Sequence, residues 1–553
     1  MAFSTIPGAG STDAVTLAGT SGVDSAVVSA QANGLFVNAE AAGDALTFSE
    51  PGNGYTVFGG QGGDTISSAS TISGSIINGN TDADTININS IATSFVYGGK
   101  QNDSLIFGSL ESSELYGNLG ADTITVTAGL TSSKVYGGKE VDTITIGGRL
   151  DASNINGDIG NDIINIVGAS FQNGSFVQGG QNEDTITLTG VSAFATSSSV
   201  LGGQGNDTIN AANSIGNIIV YGNNDNDTVT TGAGADFLYG DDGNDQLVGG
   251  ANGDSLTGGA GADDLTGGTG NDTFFGGTEV DTFRVDAGTD AINDVGQGGA
   301  DNIVITAGAT LNNGAVVADW TATAGTTNAG AATLVSFTQG VDIDVSAAGG
   351  ANGFTINGNN TAGAGEILVG GARVDIFDGQ AGNDTITGGG GADAITGGAG
   401  TDTFRYTTAA TSVGAAGVNT DTLVGFTAAD DSIGLQQGAA GALLAGVTIG
   451  GTSTAAAFAA NVVDATAVAN IGAVYTAIAA NAQFNAVNFA ASAAGAGANQ
   501  LRARTISFAN GVAGGTFLVV NDSTAGFQAG NDLVIGLGTG VVAATNADIV
   551  TFA

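Results

Sequence analysis

The 553-residue chain has no cysteine, no histidine and only two prolines, and its nine lysines and arginines face 52 aspartates and glutamates. Each shortage removes a class of chemistry. Without histidine there is no Ser-His-Asp or Cys-His apparatus, no H-E-x-x-H zinc site and no imidazole base near neutral pH. Without cysteine there are no disulfides, thiolate nucleophiles or zinc knuckles. The scarcity of basic side chains excludes a phosphate-binding footprint, so neither nucleic acid nor an anionic membrane is an expected partner. A formal charge of −43 needs a counter-charge, and divalent cations supply it most directly.

The charge does not mean disorder, because only 11% of residues are charged and 42% are hydrophobic. Residues 1–10 (MAFSTIPGAG) show neither a basic segment nor an apolar run, so no cleaved secretory signal is expected. The Ala-rich stretch from Thr454 to Ala498 is broken by Asn, Asp and Gly, which argues against a membrane span and against membrane insertion. At this length either several domains or one elongated repeat domain is expected, and 97 glycines favour repeats.

The repeat is explicit. Aspartates followed by x-apolar recur in nearly even steps at Asp24, Asp44, Asp64, Asp84, Asp103, Asp122, Asp142, Asp162, Asp184, Asp207 and Asp227. The step then shortens to one nonapeptide, through Asp236, Asp245, Asp254, Asp263, Asp272 and Asp281, and a second run with the same short step follows in Glu366, Asp375, Asp384, Asp393 and Asp402. Fixed self-similarity of this kind is the mark of a solenoid. A six-residue turn with glycine at positions one, two and four can enter the left-handed region and turn its carbonyls inward. The aspartate at position six adds a carboxylate, and the next three residues form a short strand that buries its central side chain. One loop cannot supply six to eight oxygens, so an ion must be shared with the loop one coil further on. In the nonapeptide blocks two repeats make one coil, and the partner is the second repeat along: Asp245 with Asp263, Asp254 with Asp272, Asp384 with Asp402.

Candidate calcium ligands are accordingly Gly59, Gly62, Asp64, Asp84, Gly202, Gly205, Asp207 and Asp227 in the long coils. In the first nonapeptide block they are Asp236, Gly240, Gly243, Asp245, Asp254, Gly258, Gly261, Asp263, Gly267, Gly270, Asp272 and Asp281. In the second they are Asp375, Gly379, Gly382, Asp384, Gly388, Gly391, Asp393, Gly397, Gly400 and Asp402. Calcium is expected along one edge of the N-terminal half and along both edges of Thr231 to Asp281. The loops carrying Lys100, Lys139 and Arg373 are expected to be poor sites, since a cationic side chain competes with the ion. The alternative is a metal-free solenoid whose aspartates only cap turns.

The unit G-G-x-G-x-D-x-U-x, as in Gly258 to Leu265 and Gly267 to Phe274, resembles the calcium-binding repeats of the RTX (repeats-in-toxin) proteins. The resemblance covers about 60% of the chain. It implies an all-β, right-handed parallel β-roll or β-solenoid; a C-terminal β-rich region is expected to follow, and its Ala-rich stretch reads as helical at Ala455 to Val463 and Ala467 to Ala480. The end of the chain, from Phe517 to Phe527 and from Asp548 to Ala553, resembles the uncleaved tails of type I secreted bacterial proteins. The expected organisation is a solenoid of about 20-residue coils over 1–230, a nonapeptide β-roll over 231–285, a β-rich segment without a reliable period over 286–365, a second nonapeptide block over 366–406, and a cap with an assembly or secretion region over 407–553.

Two outward faces stand out. Tyr97, Tyr116, Tyr136, Tyr221 and Tyr239 each precede a loop and form a stripe with Phe58, either a stabilising ladder or a lateral contact surface. Thr65, Thr85, Thr123, Thr143, Thr185, Thr208 and Thr228 form a second file, the plain choice for a solvent-facing strand. No enzyme is expected: Lys100, Lys134, Lys139 and Arg149 are the only bases before Arg284, and no acid, base and stabiliser cluster. The expected function is that of a secreted calcium-binding structural protein that assembles at the cell surface as an S-layer, sheath or filament. Its partners would be copies of itself and a type I exporter, with cell-surface polysaccharide as a further candidate. The alternative is a calcium-stabilised adhesin or a polysaccharide- or ice-binding surface protein.

Overall fold

One apolar residue flanked by small polar ones, bounded by glycine turns, builds a strand with a single inward side chain. The computed structural model describes residues 34–39, 42–195 and 197–407, together with separate strands before residue 29 and after residue 420. The described residues are all-β and contain no helix. They form two compact units, Met1–Asp281 and Thr282–Ala553. Asp24 and both expected helical patches lie outside the described residues, as does most of the C-terminal tail.

The first unit is a parallel β-solenoid. Each long coil contributes two strands, such as Lys134–Lys139 and Thr143–Gly147, and each pairs in parallel with its counterparts one coil before and after. Register stacks one side chain type on itself. Ile66, Ile86, Leu105, Ile124, Ile144, Ile164, Ile186, Ile209, Val229, Leu247 and Leu265 form one continuous buried file. Val57, Ile77, Val96, Leu115, Val135, Ile155, Val177, Val200, Val220, Leu238 and Leu256 form the other. The change of period does not interrupt the stack, since Thr208 pairs with Thr228 and Thr228 pairs with Gln246.

In the second unit the segment without a fixed period is also coiled. Thr282 pairs with Asn302, Val304 with Thr327, and Thr327 with Gly349. A third row of strands is added by Trp320–Thr321, Ile343–Asp344 and Ile367–Val369. Coils of unequal length hide the repeat from a search for constant spacing. Trp320 is buried, and its indole N–H donates to the carbonyl of Asp301 at 3.0 Å. Strand pairing turns antiparallel where Arg502–Ser507 meets Thr516–Asn521.

The tyrosine stripe is a ladder in two pieces. Tyr97, Tyr116 and Tyr136 stack at centroid distances of 5.1 and 4.9 Å, and Tyr221 stacks on Tyr239 at 4.8 Å. Asn156, Gln178 and Leu201 occupy the column between them. The threonine file is likewise outward, with Ser104 and the exposed Ile163 as interruptions.

Because Ile144 fills the core file while its neighbour Thr143 faces out, the two should respond differently to truncation. In saturating calcium, Ile144→Ala should lower unfolding stability by about 2–5 kcal/mol, and Thr143→Ala should change it by no more than about 0.5 kcal/mol, measured by denaturant titration.

Candidate metal centre

The position-six aspartates are buried and stacked in register. Between every consecutive pair from Asp44 to Asp281, the backbone N–H of one donates to Oδ1 of the next, at 2.6–2.9 Å. The ladder therefore runs the length of one edge and includes Asp64, Asp84, Asp207, Asp227, Asp245, Asp263 and Asp281. A second ladder starts on the opposite edge, where the N–H groups of Ile218, Asp236 and Asp254 donate to Asp236, Asp254 and Asp272 at 2.8 Å. The second unit repeats this with Asp375 donating to Asp393 and Asp384 to Asp402, at 2.8 and 3.0 Å. The pairs expected two repeats apart are thus brought together. Asp421 and Asp431 extend these two rows, accepting from Asp393 and Asp402.

Only one oxygen of each carboxylate is used this way. Oδ2 of Asp64, Asp84, Asp103, Asp122, Asp142, Asp162, Asp184, Asp207, Asp227, Asp236, Asp245, Asp254, Asp263, Asp384 and Asp393 is buried and accepts no hydrogen bond. Except in the Asp236 loop, which begins with Thr231, it points at the first glycine of its own loop. A Cβ at Gly59 would lie 2.6 Å from Asp64 Oδ2 and 2.6 Å from the carbonyl oxygen of Gly79, one coil on. Gly202, Gly240, Gly258, Gly267, Gly379, Gly388 and Gly397 crowd the Oδ2 of their own aspartates in the same way. This corrects the expectation that all three glycines are left-handed. The first is required by close approach of carboxylate and carbonyl, whereas the second and fourth, such as Gly60 at φ 103° and Gly62 at φ 98°, are left-handed. Gly205, Gly243, Gly261, Gly270, Gly391 and Gly400 are left-handed too, while Gly382 is not and instead sits against the carbonyl of Ala364.

Burial pushes the ladder carboxyls far above the ordinary range. Asp103, Asp142, Asp227, Asp254 and Asp393 reach about 8, and Asp64 and Asp263 about 7, chiefly through loss of water and secondarily through adjacent acids, against the lowering effect of the backbone N–H. Near neutral pH such a carboxyl either keeps its proton or gives it up to a cation that takes its place. No three acidic side chains converge among the described residues, so the donor set is one carboxylate per loop with backbone carbonyls. Oxygen-only donors without nitrogen or sulfur suit a hard divalent cation. Lys100 and Lys139 are exposed, Asp103 and Asp142 keep the same buried posture as their neighbours, and Arg373 donates from Nε to the carbonyl of Gly350.

The other edge of the long coils holds a device that aspartate spacing does not reveal. Ser75, Ser94, Ser113, Ser133, Ser153 and Ser175 occupy the place taken by Asp236 and Asp254 further on. Each hydroxyl accepts the N–H of the residue one coil back, at 2.9–3.2 Å, from Tyr55 through Ser153. Each also donates to a carbonyl two or three residues earlier, at 2.7–2.8 Å. The serine makes the same stacking bond with no charge left over. Outside the carboxylates, position-five asparagines add a further row, with Asn226 and Asn244 donating backbone N–H groups to the side-chain oxygens of Asn206 and Asn226.

The fold and these ladders define a parallel β-solenoid edged by stacked, buried carboxylates. Residues 198–213, 221–256, 257–292 and 369–404 match the family model of the RTX calcium-binding nonapeptide repeat, so the chain carries four copies of this calcium-binding repeat. No curated protein matches the chain.

Two measurements follow from the ladders. A carboxyl whose folded pKa of about 8 lies above its unfolded value stabilises the fold fully below pH ~4 and loses that contribution as the pH rises through 8. In chelator, acidification from pH 8 to 5 should therefore raise the melting temperature, and with calcium present the same change should lower it as protons displace the ion. Ser113→Ala should cost about 1–3 kcal/mol by orphaning the Ser94 N–H, equally with and without calcium, whereas Asp122→Asn should act mainly by weakening the dependence of melting on calcium.

Proposed function

We propose that this protein is a secreted structural component that folds and assembles outside the cell into a surface layer, sheath or filament. The observation that supports this most directly is the row of buried carboxylate oxygens without hydrogen-bond partners from Asp64 to Asp263, in a chain devoid of histidine and cysteine. In calcium-poor cytosol, acids stacked one strand step apart, ~4.8 Å, repel one another and oppose folding. The glycine-rich chain can then be threaded through an exporter. At extracellular calcium, the carboxylates and glycine carbonyls of successive coils converge on shared ions, which couples binding to folding. Loops at the end of a stack offer half of a donor set, and copies of the chain can complete it for one another.

Electron microscopy of the purified chain tests this. Ordered sheets or fibres are expected in millimolar calcium, with dispersal to subunits in chelator and reassembly on its return. A chain that stays monodisperse in calcium over a wide concentration range would overturn the assembly reading.

A further inference from the structure

The face bearing the interrupted tyrosine column carries a trough of about 950 Å³. Its floor is a column that is half glycine, with Gly138, Gly180 and Gly203 stacked in register with Asn118, Asp158 and Asn223. One wall is the outward column of Tyr116, Tyr136, Asn156, Gln178 and Leu201. The other is the column that begins with Leu119 and Lys139 and ends with Gln204 and Asn224. The trough thus runs along the coil stack, and each coil adds one residue to each wall and one to the floor.

We propose that this trough binds an extended, uncharged polysaccharide, laid parallel to the stacking direction. Three features carry the argument. First, the amides of Gln178, Gln181, Gln204 and Asn224 make no hydrogen bond with any described residue, so both donors and acceptors are available to hydroxyl groups. Second, the walls also hold apolar surface, in the ring edges of the stacked Tyr116 and Tyr136 and in the exposed Leu119 and Ile159, against which the C–H groups of sugar rings can pack. Third, the trough holds one lysine and one aspartate, Lys139 and Asp158, on a chain whose net charge is −43. An anionic polymer is repelled by the molecule as a whole, and a polycation is drawn to the acidic loops instead. A peptide strand is disfavoured because the backbone groups of this face are already paired with neighbouring coils. The repeating wall, with one step of ~4.8 Å per coil, suits a polymer with a short regular repeat. This inference stands whether or not copies of the chain assemble.

Affinity electrophoresis of the calcium-loaded full chain, in native gels containing dextran, mannan, xyloglucan or alginate, is the test. At least one neutral polysaccharide should retard the chain. The double variant Gln178→Ala/Gln204→Ala should lower the apparent affinity by about tenfold, from two lost hydrogen bonds. Tyr136→Ala should also weaken it, while Tyr239→Ala, in a stack outside the trough, should leave it unchanged. Far-UV circular dichroism in calcium establishes that each variant is folded. The proposal is overturned if no neutral polysaccharide retards the chain, if alginate alone does, or if the folded double variant runs like the parent.

Discussion

The structure turns on one buried carboxylate per loop, stacked in register with the next. Its Oδ1 is satisfied by the N–H one coil back, which ties each coil to its neighbour. Its Oδ2 is held away from water and hydrogen-bond donors, and a buried charge without a partner is too costly to persist. The carboxyl must take up a proton or share a cation. The loop composition follows from the same constraint. Position one is glycine in nearly every loop, Thr231 in the Asp236 loop being an exception, because a Cβ would crowd Oδ2 of the loop's own aspartate. Lysine and arginine are scarce, and Lys100 and Lys139, which stand in the loops of Asp103 and Asp142, are exposed.

Serine and aspartate are two solutions to closing the same turn. A hydroxyl both accepts and donates, so Ser113 is complete once it holds the Ser94 N–H and its own Glu111 carbonyl. A carboxylate only accepts, so Asp254 holds the Asp236 N–H and remains a charged, one-sided ligand. The first unit therefore has one edge whose hydrogen bonds need no ion over the long coils and an opposite edge whose charge does. Where the coil shortens to two nonapeptides, both edges become acidic. This single exchange of side chain raises the number of buried carboxylates per coil from one to two.

Outside the ladders, the two faces divide the work differently. Stacked Tyr97, Tyr116 and Tyr136 contribute about 0.5–1.5 kcal/mol per pair beyond their burial. Where Asn156 and Gln178 replace tyrosine in that column, the stack is lost and polar groups open onto the trough. The column was legible in the sequence as a stripe, but its gap gained meaning only beside the glycine floor. The coiled nature of 286–365 was not legible, because its register steps differ from coil to coil and no constant spacing survives. The serine ladder escaped for a related reason: serine is common throughout these turns, and only backbone stacking distinguishes Ser113 from its neighbours Ser109 and Ser112.

By itself the sequence determined the chemistry and the pitch. A chain without histidine or cysteine, with aspartates recurring at nearly regular intervals among glycines, can only offer oxygen ligands one coil apart. It also determined which aspartates become neighbours, since parallel stacking brings into contact residues one period apart. Tertiary structure decided what each side chain does there. It turned one carboxylate oxygen to the backbone and the other inward, sent Lys100 and Lys139 to solvent, and set serines in the place of aspartates on one edge. Those choices depend on the direction of the Cα–Cβ bond within a stacked coil, which is set by neighbours a whole coil away in either direction.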